Sequence, residues 1–194
     1  VSFAWPKPVA VVLAAGFSRR FGSNKLMHPL SDGRSILWHS LQPYINAGCD
    51  LACVTRPDSA EVISLLKSLG IKTLSCDQAE QGMSASIAVA AQYAQSLSRP
   101  LMLGLGDMPY MRAQSLQQLL QAWDLLKPEI LYPCVNGQQG HPVVFRASYF
   151  SELASLEGDK GAKSLLAGEL ATAVNLDDIG LVRDIDISAD LSEC

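Results

Sequence analysis

Short apolar runs alternate along most of the chain with stretches in which apolar side chains recur every three or four residues. PVAVVLA, LACVT, IKTLS and LMLGL read as buried strands. Between and after them, SILWHSLQPYINAG, AEVISLLKSLG, the segment from Met83 to Leu97, and the stripe of Leu116, Leu119, Leu120 and Trp123 read as helices that lay one apolar face on a sheet. Strands and helices in alternation predict right-handed βα units and a mainly parallel sheet. Beyond Pro128 the rhythm loosens into EILYPC, a turn at NGQQG, HPVVF, and short helical stretches near residues 148–156 and 160–168. TAVNL and VRDIDI then read as strands. With 194 residues and no repeat, low-complexity tract or linker, the expectation is a single three-layer α/β domain spanning residues 1–194 on a mixed, mainly parallel sheet.

Composition narrows the partners more than the fold. The chain is 48% hydrophobic and 18% charged with a net charge of −4, so no global basic field invites nucleic acid or an anionic membrane. No apolar stretch approaches the roughly 20 residues of a membrane helix, and the first residues lack a signal-peptide layout, so a cytoplasmic location is expected. Five scattered cysteines without a CxxC pair predict reduced thiols rather than a disulfide framework or a zinc site.

Any anion site must then be local, and LAAGFSRRFGSNK, residues 13–25, is the candidate. It leaves the end of the first apolar strand, where open α/β sheets place their ligands, and combines two glycines with Arg19, Arg20 and Lys25. Glycine permits close backbone approach and positive φ, so that N–H groups can converge on phosphate oxygens. The spacing is neither GxGxxG nor GxxxxGK, which argues against a dinucleotide fold and a P-loop NTPase. A solvated basic turn after an edge strand is the plainer reading of the same residues.

Carboxylates supply the opposite charge. Asp107 in GLGDMPYM follows a buried strand, either as a turn former before Pro109 or as a ligand for a hard cation that also touches phosphate. Alternation in VRDIDI sets Asp184 and Asp186 on one face and sends Ile185 and Ile187 to the core. In QGMSAS, Ser84 or Ser86 is placed to cap the following helix. His141 in GQQGHPVVF is a proton donor, a proton acceptor or a hydrogen-bonding wall. EGDKGAKSLL reads as a capped helix start, with Asp159 near its amino end and Leu165 and Leu166 buried.

Together these segments resemble the nucleotidyltransferase family that includes the cytidylyltransferases and guanylyltransferases of molybdenum cofactor synthesis, which has a three-layer Rossmann-like fold. LAAGFSRRFGSNK is similar to its LAAGxSxRxGxxK signature at Leu13, Ala14, Ala15, Gly16, Ser18, Arg20, Gly22 and Lys25, with Phe21 where Met is frequent. The resemblance implies that this loop wraps a triphosphate and that Asp107 binds Mg²⁺. VRDIDISADL resembles DIDTPEDL, which implies Asp186, in preference to Asp184, as the second metal ligand. Gly82, Ser84 and Ser86 match the segment that lies against base and ribose. Gly140, His141 and Pro142 match the acceptor side. Asp159, Gly161 and Lys163 resemble the GDxGAR segment of the cytidylyltransferase branch, with Lys for Arg.

The function so implied is Mg²⁺-dependent transfer of CMP from CTP to molybdopterin with release of pyrophosphate. Lys25, Arg20 and Asp107 would be the catalytic residues. Acceptance of a sugar or alditol phosphate by a related cytidylyltransferase or guanylyltransferase is the alternative within the family. A non-catalytic carrier that hands the cofactor to a recipient molybdenum enzyme is the alternative outside it.

Overall fold

The computed structural model describes residues 5–17, 21, 24–158, 161–168 and 170–186. Ser18, Arg20, Gly22 and Asp159, along with Ile187 and Cys194, lie outside these described residues.

Apolar runs become strands where the expectation put them: β1 (Val9–Leu13), β2 (Leu51–Thr55), β3 (Lys72–Ser75) and β4 (Leu101–Leu105). They are joined by α1 (Ile36–Asn46), α2 (Ala60–Ser68) and α3 (Met83–Ser96). After β4 come α4 (Ala113–Leu126), β5 (Ile130–Val135), β6 (Gln138–Gln139), β7 (Val143–Phe145), α5 (Phe150–Ala154) and β8 (Ala171–Asn175). The sheet runs β3-β2-β1-β4-β7-β5-β6, with β8 also paired to β5. β1 through β4 are mutually parallel, β5 and β8 are parallel to each other, and β7 runs antiparallel to both β4 and β5. This is the mixed, mainly parallel, Rossmann-like sheet that the pattern implies. β1 is an interior strand, which removes the reading of its following loop as an edge-strand turn.

Period-two alternation divides each strand between two helical layers. Val9, Val11 and Leu13 face α3 and α5 with Leu101, Leu103 and Phe145. Ala10 and Val12 face α1, α2 and α4 with Met102, Leu116, Leu119 and Trp123. Gly104 is demanded by this packing, because a Cβ there would stand 2.0 Å from the Tyr44 hydroxyl. Asn136 and Gly137 both take positive φ, at 51° and 81°, and make the two-residue turn between β5 and β6.

Three local expectations are corrected. The described part of VRDIDI, residues 182–186, is not a strand: Ile185 donates its amide to the Asp107 carbonyl at 3.0 Å, a tie to the β4 loop rather than a ladder. Alternation survives without the sheet, since Ile185 is buried while Asp184 and Asp186 are exposed. The stretch near 160–168 is helical as expected, a 3₁₀ helix over Ala162–Ala167, but Gly161 is its N-cap with no side-chain cap, and Leu166 is buried while Leu165 is only partly so. Finally, neither Ser84 nor Ser86 caps α3, because Gly82 is the N-cap residue and both serines lie buried inside the helix.

The chain returns to the site through a buried anchor. Asp178 accepts from Ser115 Oγ at 2.6 Å, from the Arg112 amide at 2.9 Å and from the Gly180 amide at 3.1 Å. The Arg112 guanidinium lies 3.4 Å away. Gly180 packs so tightly beneath it that a Cβ would fall 2.2 Å from the Tyr110 carbonyl oxygen. Asp178→Ala strips a buried network of its acceptor and is expected to cost about 3 kcal/mol. A urea melt measures this as a lowered midpoint at unchanged slope.

Candidate active site

The site is built at the carboxyl ends of the neighbouring strands β1 and β4, where parallel topology brings two loops together. Lys25 lies in a 3₁₀ turn, Lys25–Met27, and is only 8% exposed, which is unusual for a lysine. It is held there by charge: Nζ lies 2.8 Å from Asp107 Oδ2 and 3.7 Å from Asp186 Oδ1. Asp184 joins them. One carboxylate oxygen from each of Asp107, Asp184 and Asp186 falls within 4.8 Å of the others.

Among the described residues, three carboxylates face one ammonium, a local excess of negative charge. Partial burial, reinforced by Asp107 and Asp186, raises the carboxyl of Asp184 above its ordinary range, with Lys25 pulling the other way. Asp107 Oδ1 is buried and has no hydrogen-bond partner among the described residues. An all-oxygen donor set with an unused buried oxygen fits a hard divalent cation such as Mg²⁺ or Mn²⁺. The structure brings Asp184 in beside Asp186, so a choice between them, as the sequence suggested, is not one the geometry makes.

Two chambers meet at this cluster. The larger, about 530 Å³, is lined by Leu13 to Phe17, Lys25, Ala79 to Met83, Ser86 and the three aspartates. The smaller, about 280 Å³, is lined by Gln138 to His141, Gly161 to Lys163 and an apolar wall including Ile87, Leu103, Met108, Val143 and Leu166. Leu13, Met83, Leu105 and Asp184 border both. Ser84 and Pro142 border neither. Gly16 does not take positive φ, contrary to the expectation for an anion-binding loop, but a Cβ on it would meet nothing within 4 Å. Among the described glycines that line the larger chamber, Gly82 is the one with positive φ, at 102°, where the chain turns into α3. Ser86 Oγ donates to Cys76 Sγ at 3.8 Å.

A family model described as the MobA-like NTP transferase domain matches residues 10–174. The chain belongs to this family. The purine catabolism protein PucB of Bacillus subtilis is 30% identical over 93% of this chain and 92% of its own length. The crystal structure of Rv0371c from Mycobacterium tuberculosis is 27% identical, with a TM-score of 0.79 over 96% of this chain and 97% of that one. A manganese complex of the same mycobacterial protein is 25% identical, with a TM-score of 0.75 over the same shares.

In this MobA-like chain the wall of the smaller chamber is set by main-chain ties. Gly140 donates to the Pro133 carbonyl at 2.8 Å and His141 to the Leu181 carbonyl at 2.7 Å. A Cβ on Gly140 would lie 2.5 Å from the Leu181 carbonyl oxygen, so the glycine is required by packing. The imidazole of His141 hydrogen-bonds the main chain of Leu103, while its Nδ1 is buried with no partner among the described residues. Burial holds His141 below the ordinary histidine range, and Lys163 acts in the same direction against Asp107 and the Leu103 hydrogen bond.

The pattern of motifs did not signal two residues that matter here. Asp178 holds the returning chain from a distance, and Arg56 touches the glycine loop from outside the cleft. Neither sits in a run or spacing that marks it.

A neutral His141 carries a consequence for stability. Its folded pKa is below its unfolded value of about 6.5, so in that interval the unfolded chain binds the extra proton and stability falls as pH drops. His141→Gln is expected to flatten this slope below about pH 6.5, as measured by denaturant midpoints across pH.

Proposed function

We propose that the protein transfers CMP from CTP to the phosphate of molybdopterin, releasing pyrophosphate. The observation that carries this reading is the meeting of two chambers at one carboxylate cluster, with Asp184 on both sides. A triphosphate in the larger chamber would present its α-phosphorus to an acceptor in the smaller. The acceptor oxygen would form the new P–O bond while the bond to the β-phosphate breaks and pyrophosphate leaves.

Each residue has a part in this. Asp107 and Asp186, with Asp184 beside them, would hold a divalent ion, which when bound supplies Lewis-acid neutralisation of the charge that grows at the α-phosphate. Lys25, fixed by Asp107, faces the larger chamber as a cation for the phosphate chain, and the resemblance assigns Arg20 the same role. Leu13 to Gly16 would wall the phosphates together with Ser18 and Gly22. Gly82 with Ser86 would lie against base and ribose; Ser84, buried in α3, would support them. Proton abstraction needs no protein base, because a phosphate monoester with a second pKa of about 6 is largely dianionic at neutrality. His141 accordingly stays a wall, together with Gly140, Gly161 and Lys163; Pro142 would only support it from behind, and the resemblance assigns Asp159 to the acceptor.

The apolar wall gives a ring system a face to lie on, while Gln138, Gln139, His141 and Lys163 offer partners to its polar edge, which supports a ring-bearing acceptor over a sugar or alditol phosphate. The preference for cytidine rests on resemblance, because guanylyltransferase relatives usually show LAGG and an aspartate before the lysine. Here Ala15 is buried, and Asn24 donates to Glu61 at 3.0 Å, a contact that an aspartate would turn into repulsion. The soluble assay is direct. Incubation with Mg²⁺, molybdopterin and each triphosphate is expected to release pyrophosphate with CTP, and Asp107→Asn to lower kcat at least about 10²- to 10³-fold. Release with none of the triphosphates would overturn the reaction; release with an alditol phosphate but not molybdopterin would overturn the acceptor.

A further inference from the structure

We propose that Arg56 is a positioning residue for the glycine loop: it pins the Gly16 carbonyl from outside the cleft and so sets the plane of the Gly16–Phe17 peptide that faces the phosphate chain. The inference rests on the nucleotide reading of the larger chamber. Arg56 directly follows β2, and the β1–β2 pairing continues past the strand ends as the Ala14 amide donates to the Val54 carbonyl at 2.8 Å. That continuation brings Arg56 beside the loop. Its Nη1 donates to the Gly16 carbonyl oxygen at 2.9 Å, its Nε donates to Asp58 Oδ1 at 2.9 Å, and its guanidinium carbon lies 4.4 Å from the centre of the Phe17 ring. Three contacts from one planar group fix its orientation.

Peptide geometry carries the consequence. In a trans peptide the C=O and the following N–H point in opposite directions. Gly16 and Phe17 line the larger chamber while Arg56 does not, so a carbonyl drawn towards Arg56 turns its peptide's amide edge to the chamber side. The charge of Arg56 is meanwhile engaged by Asp58, so the residue acts by orientation more than by field. A lysine would keep the charge and lose both the fork and the stack.

The test is calorimetric titration of Mg²⁺-tripolyphosphate and Mg²⁺-CTP into the full chain and its variants. Tripolyphosphate isolates the phosphate-binding loop from base contacts. Arg56→Ala is expected to weaken both probes about tenfold, Arg56→Lys nearly as much, and Phe17→Leu about threefold. The melting temperature of each free variant should stay within about 2 °C of the parent, which separates loop orientation from general destabilisation. Full rescue by lysine would mean that charge alone mattered and would overturn the proposal. Equal affinities throughout would overturn it too, while leaving the nucleotide reading intact. A parent protein that binds neither probe would remove the nucleotide reading and this inference with it. Should Arg56→Ala fail to fold, Arg56→Lys and Phe17→Leu decide the matter.

Discussion

Three carboxylates gathered around one buried ammonium are the constraint on which the rest of the molecule depends. Like charges this close are unfavourable unless a cation compensates them, and among the described residues the Lys25 ammonium offsets one of the three. The fold nevertheless commits several elements to maintaining the cluster. Neighbouring parallel strands β1 and β4 deliver Lys25 and Asp107, and the Ile185 amide ties the returning chain to the Asp107 carbonyl. Asp178 anchors that chain a few residues earlier. Such an arrangement is costly to keep for stability alone and makes chemical sense as a receptor for a divalent ion.

The same cluster explains the shape of the cleft. Net charge over the whole chain is negative, so anionic substrates gain nothing from a long-range field, and recognition has to be local. In the proposed reaction the glycine loop and Lys25 would supply that recognition on one side. On the other, main-chain hydrogen bonds of Gly140 and His141 hold a largely apolar wall against the Leu181 turn. Asp184 is the polar seam between them, the only carboxylate among the described residues that lines both chambers.

How much of this the sequence disclosed depends on the range of the interactions. The βα alternation through α4 was legible because each element carries its own periodicity, and Asp107 was legible because a carboxylate directly follows a buried strand. The DIDI pattern gave the facing of Asp184 and Asp186 correctly, while the tie that replaces a strand there is a long-range hydrogen bond to Asp107, which no local pattern encodes. Ser84 and Ser86 looked like caps because a serine before an apolar stripe usually is one. The helix begins earlier, at Gly82 with its positive φ, and leaves both hydroxyls inside. Arg56 and Asp178 act across 40 and 66 residues of sequence and have no local signature at all.

Whether the carboxylate cluster is a divalent-ion receptor is decided by calorimetric titration of Mg²⁺, and of Mn²⁺ in parallel, into the protein with CTP present. The parent protein is expected to bind the ion saturably and to lose about tenfold or more in affinity in Asp107→Asn, with Asp184→Asn and Asp186→Asn each weakened as well. Equal affinity in the parent and all three variants, or no metal-dependent heat in the parent, would contradict it.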